Sequence, residues 1–398
     1  MAEADIWDPG IYEFDPTPSE TALVTTEPTG ERVAVIRTSD RITDRRCRRK
    51  WGWSIHIRGN LGAREGQSPL WMGSGFHFAL EDFHAGNTYG HPADAFAAYV
   101  TATKRQDPKS LPPDWEDLFV LSRGMLHYYV DDWLKHRDPL ETLVWNGVPQ
   151  VEVNFRVEIP FPDQAKLKSW GYDKVIYSGT LDRVIRDRNG LLWIVEYKTA
   201  KAIQTLHLSN DSQVSSYCWA GNLLYGEPIA GVIYQQHRKD LPHIPNILAS
   251  GALSTAKDQL TTHALFRTAL KQRFGTVMAA PNNYIEYLNS LAKLEGAESD
   301  RYVARNRIQR NAHQCEAEGV KILMEAEEML NPDLPLYPNP DRTCQFMCTF
   351  NGSCVSLDDG SDWEHELNLL TKPREQKYDS WRKHLPSPGI YTPTFQTT

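Results

Sequence analysis

The chain has 398 residues, with 43 Lys and Arg against 51 Asp and Glu, a net charge of −8. Forty per cent apolar and 11% aromatic residues supply a large core and exclude wholesale disorder. The longest unbroken apolar run, Ala95–Val100, is far short of the roughly 20 residues of a membrane helix, and the acidic sum excludes indiscriminate coating of nucleic acid by bulk charge. The N-terminus, MAEADIWDPG, has no apolar stretch, so the expectation is a reducing, cytoplasmic setting, bacterial or that of a host cell if viral.

In chain order, residues 1–37 are rich in Pro and Thr and read as an arm with one short strand at Arg32–Ile36. Residues 38–145 read as helical. Ser39 or Asp40 is placed to cap a helix through a basic run, in which Arg41, Arg45, Arg46, Arg48, Arg49, Lys50, Arg58 and Arg64 face only Asp44. Pro69 precedes a helical segment at Leu70–Ala85, and Asp114 is expected to cap a longer helix reaching Arg137. Residues 146–240 change to period two. Val151–Ile159 alternates polar and apolar residues, and Val175–Ile185 and Leu191–Thr199 are joined by Arg188-Asn189-Gly190, a hairpin signal. Asn210 is placed to cap a helix that Gly226 stops, before a strand at Ala230–Gln236.

Residues 241–335 read as helical from Leu253 to about Leu330. This region carries a helical stripe of Arg301, Arg305, Arg307 and Arg310, then an acidic stretch from Glu316 to Asp333. Residues 336–398 hold three cysteines and a Pro/Thr-rich tail, Ser387–Thr398. The segregated charge fits either one basic face on an acidic body or plain solvated helix faces. Helices, a small mixed sheet of three or four strands, and more helices predict an α/β core with helical insertions and a C-terminal cysteine-rich segment.

The chemistry concentrates in Asp182 and in Glu196-Tyr197-Lys198. Glu196 and Lys198 are two apart on a strand, so both leave the same face. If residues 188–190 form a three-residue loop, Asp187 pairs with Leu191 and Asp182 falls opposite Glu196; a two-residue Asn189-Gly190 turn would put Asp182 on the other face. Gly190 suits the longer loop, whose last residue is left-handed. Two carboxylates on one face make an oxygen-rich site for Mg²⁺ or Mn²⁺. A surface ion pair on an edge strand is the alternative for Glu196 and Lys198 alone. Gln213 and Tyr217, four apart, share a helix face, and His77 closes Gly73-Ser-Gly-Phe-His77, where small residues allow close backbone approach.

In the order His77, Asp182, Glu196-x-Lys198, Gln213-x-x-x-Tyr217, these residues resemble the RecB-like branch of the PD-(D/E)xK nuclease superfamily, over roughly residues 38–236. The resemblance implies a restriction-endonuclease-like core. It also implies His77, Asp182, Glu196 and the backbone carbonyl of Tyr197 as metal ligands, Lys198 as catalytic lysine, and Gln213 with Tyr217 orienting the site and the DNA. Leu181 stands where the family's signature has proline.

Of the six cysteines, Cys344, Cys348 and Cys354 fall within eleven residues and call for a fourth ligand to zinc or an iron–sulfur cluster; spacing alone leaves both open. Three unrelated thiols are the plainer reading. The sequence also resembles the family's iron–sulfur members, such as the AddB nuclease domain and the CRISPR-adaptation exonucleases with their phage relatives. That resemblance implies Cys47 as the first ligand and a [4Fe–4S] cluster. The middle gap, C-x3-C, differs from the frequent C-x2-C, which keeps Cys315 in reserve; Cys218 reads as core. Arg45, Arg46, Arg48, Arg49 and Lys50 are expected to line a DNA passage; Trp51, Trp53 and Trp71 either offer faces for unpaired bases or belong to the core, as at least one of them is expected to.

The expectation is a Mg²⁺- or Mn²⁺-dependent deoxyribonuclease acting on single-stranded DNA ends, alongside recombination, repair or replication proteins and no membrane. A structure-specific endonuclease and a non-catalytic DNA-binding or assembly subunit are the alternatives, and no G-x-x-x-x-G-K-[ST] phosphate loop is present.

Overall fold

The computed structural model describes residues 25–27, 29–64, 68–108, 111–137, 140–295, 297–374 and 394–396. Most of the expected N-terminal arm, and all but three residues of the Pro/Thr-rich tail, lie outside them.

The principal strands are β1 (Arg32–Arg37), β2 (Val151–Ile159), β3 (Lys174–Arg186), β4 (Leu192–Ala200), β5 (Ile229–Arg238) and β6 (Val303–Gln309). The spine is β3. One of its edges carries β2, antiparallel, along most of its length. The other edge is shared: β1 runs parallel along Val33–Arg37, and β4 runs antiparallel from Arg183 to Arg186. Outward from β4 lie β5, parallel, and β6, antiparallel. Short strands at Thr25–Thr26 and Thr394–Gln396 extend β1 and β2.

The principal helices are α1 (Thr38–Arg46), α2 (Arg48–Ser54), α3 (Ser68–Ala85), α4 (Pro92–Gln106), α5 (Trp115–His127), α6 (Ser212–Tyr225), α7 (His263–Phe274), α8 (Asn282–Glu295), α9 (Ala312–Leu330), α10 (Asn351–Asp359) and α11 (Trp363–Leu370). They cover both sheet faces, and the period-two alternation of the strands sorts the core into two layers. Ile194 and Val184 pack with Val214 of α6, Ile322 of α9 and Trp51. Trp193, Val195 and Ile185 pack with Phe76, Phe96 and Leu126 of α3–α5. Each such side chain removed from water contributes about 1.5–3 kcal/mol. Two satellite clusters lie outside this frame, one between α7 and α8, the other around Trp53, Leu61, Phe350 and Leu367.

The expected hairpin and its neighbouring strands form, but the sheet has eight strands among the described residues rather than three or four, one of them inside the stretch expected to be helical, and several local expectations are corrected. The α1 helix starts at Thr38, with Asp40 on its first turn accepting the Arg37 amide at 2.9 Å rather than capping from outside. The basic run is two helices, broken at the extended Cys47. After α5 the chain continues as a wider i→i+5 turn at Tyr128–Trp133 and a tight turn at Leu134–His136. Asp211, not Asn210, caps α6, accepting from the Gln213 amide at 2.8 Å; Gly226 ends that helix at φ +63°. The supposed arginine stripe is strand β6 and its flanks, where a helical spacing has no meaning.

Candidate functional site

The hairpin tip sets the site's geometry. The Asp187 amide donates to the Leu191 carbonyl at 2.9 Å, and Gly190 takes φ +82°. The Asp187 carboxylate accepts from the Asn189 and Leu191 amides, both at 2.9 Å, which fixes the three-residue loop. The register then runs Arg186↔Leu192 to Arg183↔Val195, placing Asp182 opposite Glu196, as the longer loop requires.

At that point the two strands part. The β3–β4 pairing ends at Arg183↔Val195, while Glu196 to Ala200 remain paired only to β5. A strand edge leaving its partner exposes an amide that must find an acceptor. The Tyr197 amide finds Asp182 Oδ2 at 2.7 Å. Asp182 and Glu196, 8% and 3% exposed, thus line the fork.

Around them the expected residues converge. Lys198 Nζ donates to Glu196 Oε1, and Gln213 Nε2 donates to the same oxygen at 3.2 Å and to the Tyr217 hydroxyl at 2.8 Å. His77 reaches in from α3, its Nδ1 3.3 Å from Asp182 Oδ1. The small residues before it serve helix packing: a Cβ on Gly75 would lie 2.5 Å from the Tyr99 ring of α4.

The electrostatics follow from burial and crowding. Burial disfavours the His77 cation, but Asp182 and Glu152 outweigh it and raise its pKa well above the usual value. Burial opposes ionisation of Asp182 as well, and His77 overrides that, holding the carboxyl low. Glu196 is pushed up to about 7 by burial and by neighbouring Asp182. Lys198 would lose its proton through burial, yet Glu196 and Asp182 keep it charged.

One residue in this cluster was not anticipated. Glu152 of β2 brings Oε1 to 3.4 Å from His77 Nδ1, and ligand atoms of His77, Glu152 and Asp182 all lie within 4.8 Å of one another. In the sequence it is one of four polar positions alternating along Val151–Ile159, indistinguishable from solvent-facing ones.

The cysteines of the C-terminal segment meet the basic helices. Cys47 sits at the α1–α2 junction; Cys348 lies within electrostatic reach of Cys47 and Cys344, and Cys354 within reach of Cys47. Arg49 Nη1 donates to Cys354 Sγ at 3.3 Å. Burial pushes the Cys348 and Cys354 thiols up. Cys315 is not among this group: it lies on α9, buried against Cys218 of α6.

The basic run faces inward more than outward. Arg41 is buried between Glu318 at 2.6 Å and Glu325 at 2.5 Å, Arg45 lies 3.6 Å from Glu325, and Arg48 pairs with Glu328. Arg49 binds Asp358 at 2.7 Å. The basic and acidic segments therefore largely neutralise each other; Arg46 is exposed and Lys50 half-buried. Trp51, Trp53 and Trp71 are core residues at 0%, 0% and 6% exposure, so none offers a stacking face; Arg58 covers Trp51 at 5.1 Å. Arg305 is likewise buried, donating to Gln235 at 2.7 Å, and Arg310 binds the carbonyls of Ser209 and Leu208.

Comparison with known proteins gives one family. The model of the PD-(D/E)XK nuclease superfamily matches residues 43–355. Among solved structures, the crystal structure of SSO0001 is similar at 13% sequence identity and a TM-score of 0.31, covering 83% of this chain and 88% of that one. No curated protein matches the chain. With most of its length matched, the β3–β4 fork and its carboxylates included, the chain belongs to the PD-(D/E)XK nuclease superfamily.

Proposed function

We propose that this chain is a Mg²⁺- or Mn²⁺-dependent deoxyribonuclease that trims single-stranded DNA ends, and that a [4Fe–4S] cluster staples its C-terminal segment to the core. The observation that supports it best is the meeting of His77, Asp182, Glu196 and Lys198 at one buried fork, in a chain of a nuclease family.

The donor set suits a hard divalent cation: carboxylate oxygens and one imidazole, with Glu196 Oε2 buried and lacking a hydrogen-bond partner among the described residues. His77, Asp182, Glu196 and the Tyr197 carbonyl would hold the ion. When bound, such a cation lowers the pKa of a water and offsets phosphodiester charge. Lys198, held protonated, serves as a donor that orients the attacking oxygen and stabilises charge gathering on the phosphate. Gln213, bridging Tyr217 and Glu196, fixes the carboxylate's orientation against the pull of Lys198.

Cys47, Cys344, Cys348 and Cys354 would hold the cluster, since four thiols without export-type pairing suit a thiolate-bound iron site; zinc would use the same four. The single-stranded end, and work beside recombination, repair or replication proteins on viral or bacterial DNA, rest on the resemblance to iron–sulfur relatives.

Digestion of labelled DNA tests the reading. Lys198→Ala and Asp182→Ala are each expected to lower metal-dependent cleavage by roughly 10²-fold or more while single-strand binding persists; cleavage retained in both removes the mechanism. A circular single strand should resist, and its cutting would make the enzyme an endonuclease.

A further inference from the structure

Building on that nuclease reading, we propose that Glu152 is a ligand of the divalent cation, joining His77 and Asp182 from the strand on the far side of β3. Two observations point to it.

The first is placement. Val151 and Val153 pair with Arg183 and Leu181, so Glu152 stands directly across from Asp182, as Glu196 does on the opposite edge. Its carboxylate then meets His77 Nδ1 at 3.4 Å, inside a three-residue group whose ligand atoms lie within 4.8 Å.

The second is backbone. Glu152 takes φ +46° within a strand whose neighbouring residues are paired. Only glycine adopts that region freely, and such strain persists where the surroundings or the function require it.

Mn²⁺ titration of the full-length protein without DNA, by calorimetry, tests this. Glu152→Gln is expected to weaken binding at least about tenfold, and to weaken it again in a His77→Ala background. Glu152→Gly, which frees the backbone, is expected to hold or raise the metal-free Tm while shrinking the Tm rise that Mn²⁺ produces. Wild-type affinity in Glu152→Gln, a loss that vanishes without His77, or a full Mn²⁺-induced rise in Glu152→Gly overturns the assignment; the second result would make Glu152 a positioning residue for the imidazole. Failure of the wild-type chain itself to bind Mn²⁺ would instead remove the nuclease reading.

Discussion

Asp44 shows how a single side chain can work against the fold. It lies on the buried side of α1, and burial, reinforced by Glu328 and Glu325, outweighs the relief from Arg48 and pushes its carboxyl up to about 6. An unfolded aspartate titrates near 3.9, roughly. The folded state therefore binds more protons between those values, so the penalty is full above about pH 6 and disappears as pH falls through that window. Asp44→Asn is expected to raise Tm at pH 8 and to lose most of that gain near pH 4, in thermal unfolding followed at both. At this scale the residues that converge on the candidate site were legible in the sequence because their types and spacings are constrained together. Glu152 was not, because nothing local separates a polar strand residue turned towards His77 and Asp182 from one turned to water.

Among elements, the seam between α1–α2 and α9 joins the chain's most basic and most acidic stretches. Arg41 is 1% exposed and held by two glutamates, whereas Arg48 and Glu328 are partly solvated. Removing one member of a buried pair strands the other's charge, so Arg41→Ala is expected to cost roughly 3–5 kcal/mol in denaturant unfolding. Arg48→Ala is expected to cost less than about 1 kcal/mol. The segregation of charge was visible in the sequence, yet its meaning was not. Arg41 and Glu318 are 277 residues apart, and no local rule tells a basic stretch aimed at DNA from one aimed at its own chain. β6 escaped notice for a related reason: Val303–Gln309 interleaves two arginines and an asparagine, and only pairing with β5 makes it a strand. The β3–β4 hairpin was legible because its turn chemistry and its alternation agree.

For the whole molecule, Cys47, Cys344, Cys348 and Cys354 lie where α2 meets a lobe with little core of its own. That lobe rests on Trp53, Leu61, Phe350 and Leu367, with Trp363 stacked on Trp53 at 6.0 Å and Thr371–Pro373 pairing with Leu61–Ala63. So small a cluster would gain most from the proposed staple, which would close about 300 residues of chain. Cys348→Ser is expected to abolish visible absorbance of the purified protein and to raise amide exchange across 344–374 and 48–63 well before the main sheet responds. Unchanged exchange would show that the lobe holds without it. The cysteine spacing announced this lobe, but the tryptophans that seat it read equally well as surface rings, since burial is decided by partners distant in sequence.

The three-residue tip at Arg188–Gly190 carries one more implication. Because side chains on a strand alternate, the tip's length acts as a parity setting for everything beyond it. Losing or gaining one residue there would leave a serviceable ribbon yet turn Asp182 to the reverse side, whereas a two-residue change would keep it in phase. Length variation at this exposed and outwardly permissive corner is therefore compatible with catalysis only in even steps.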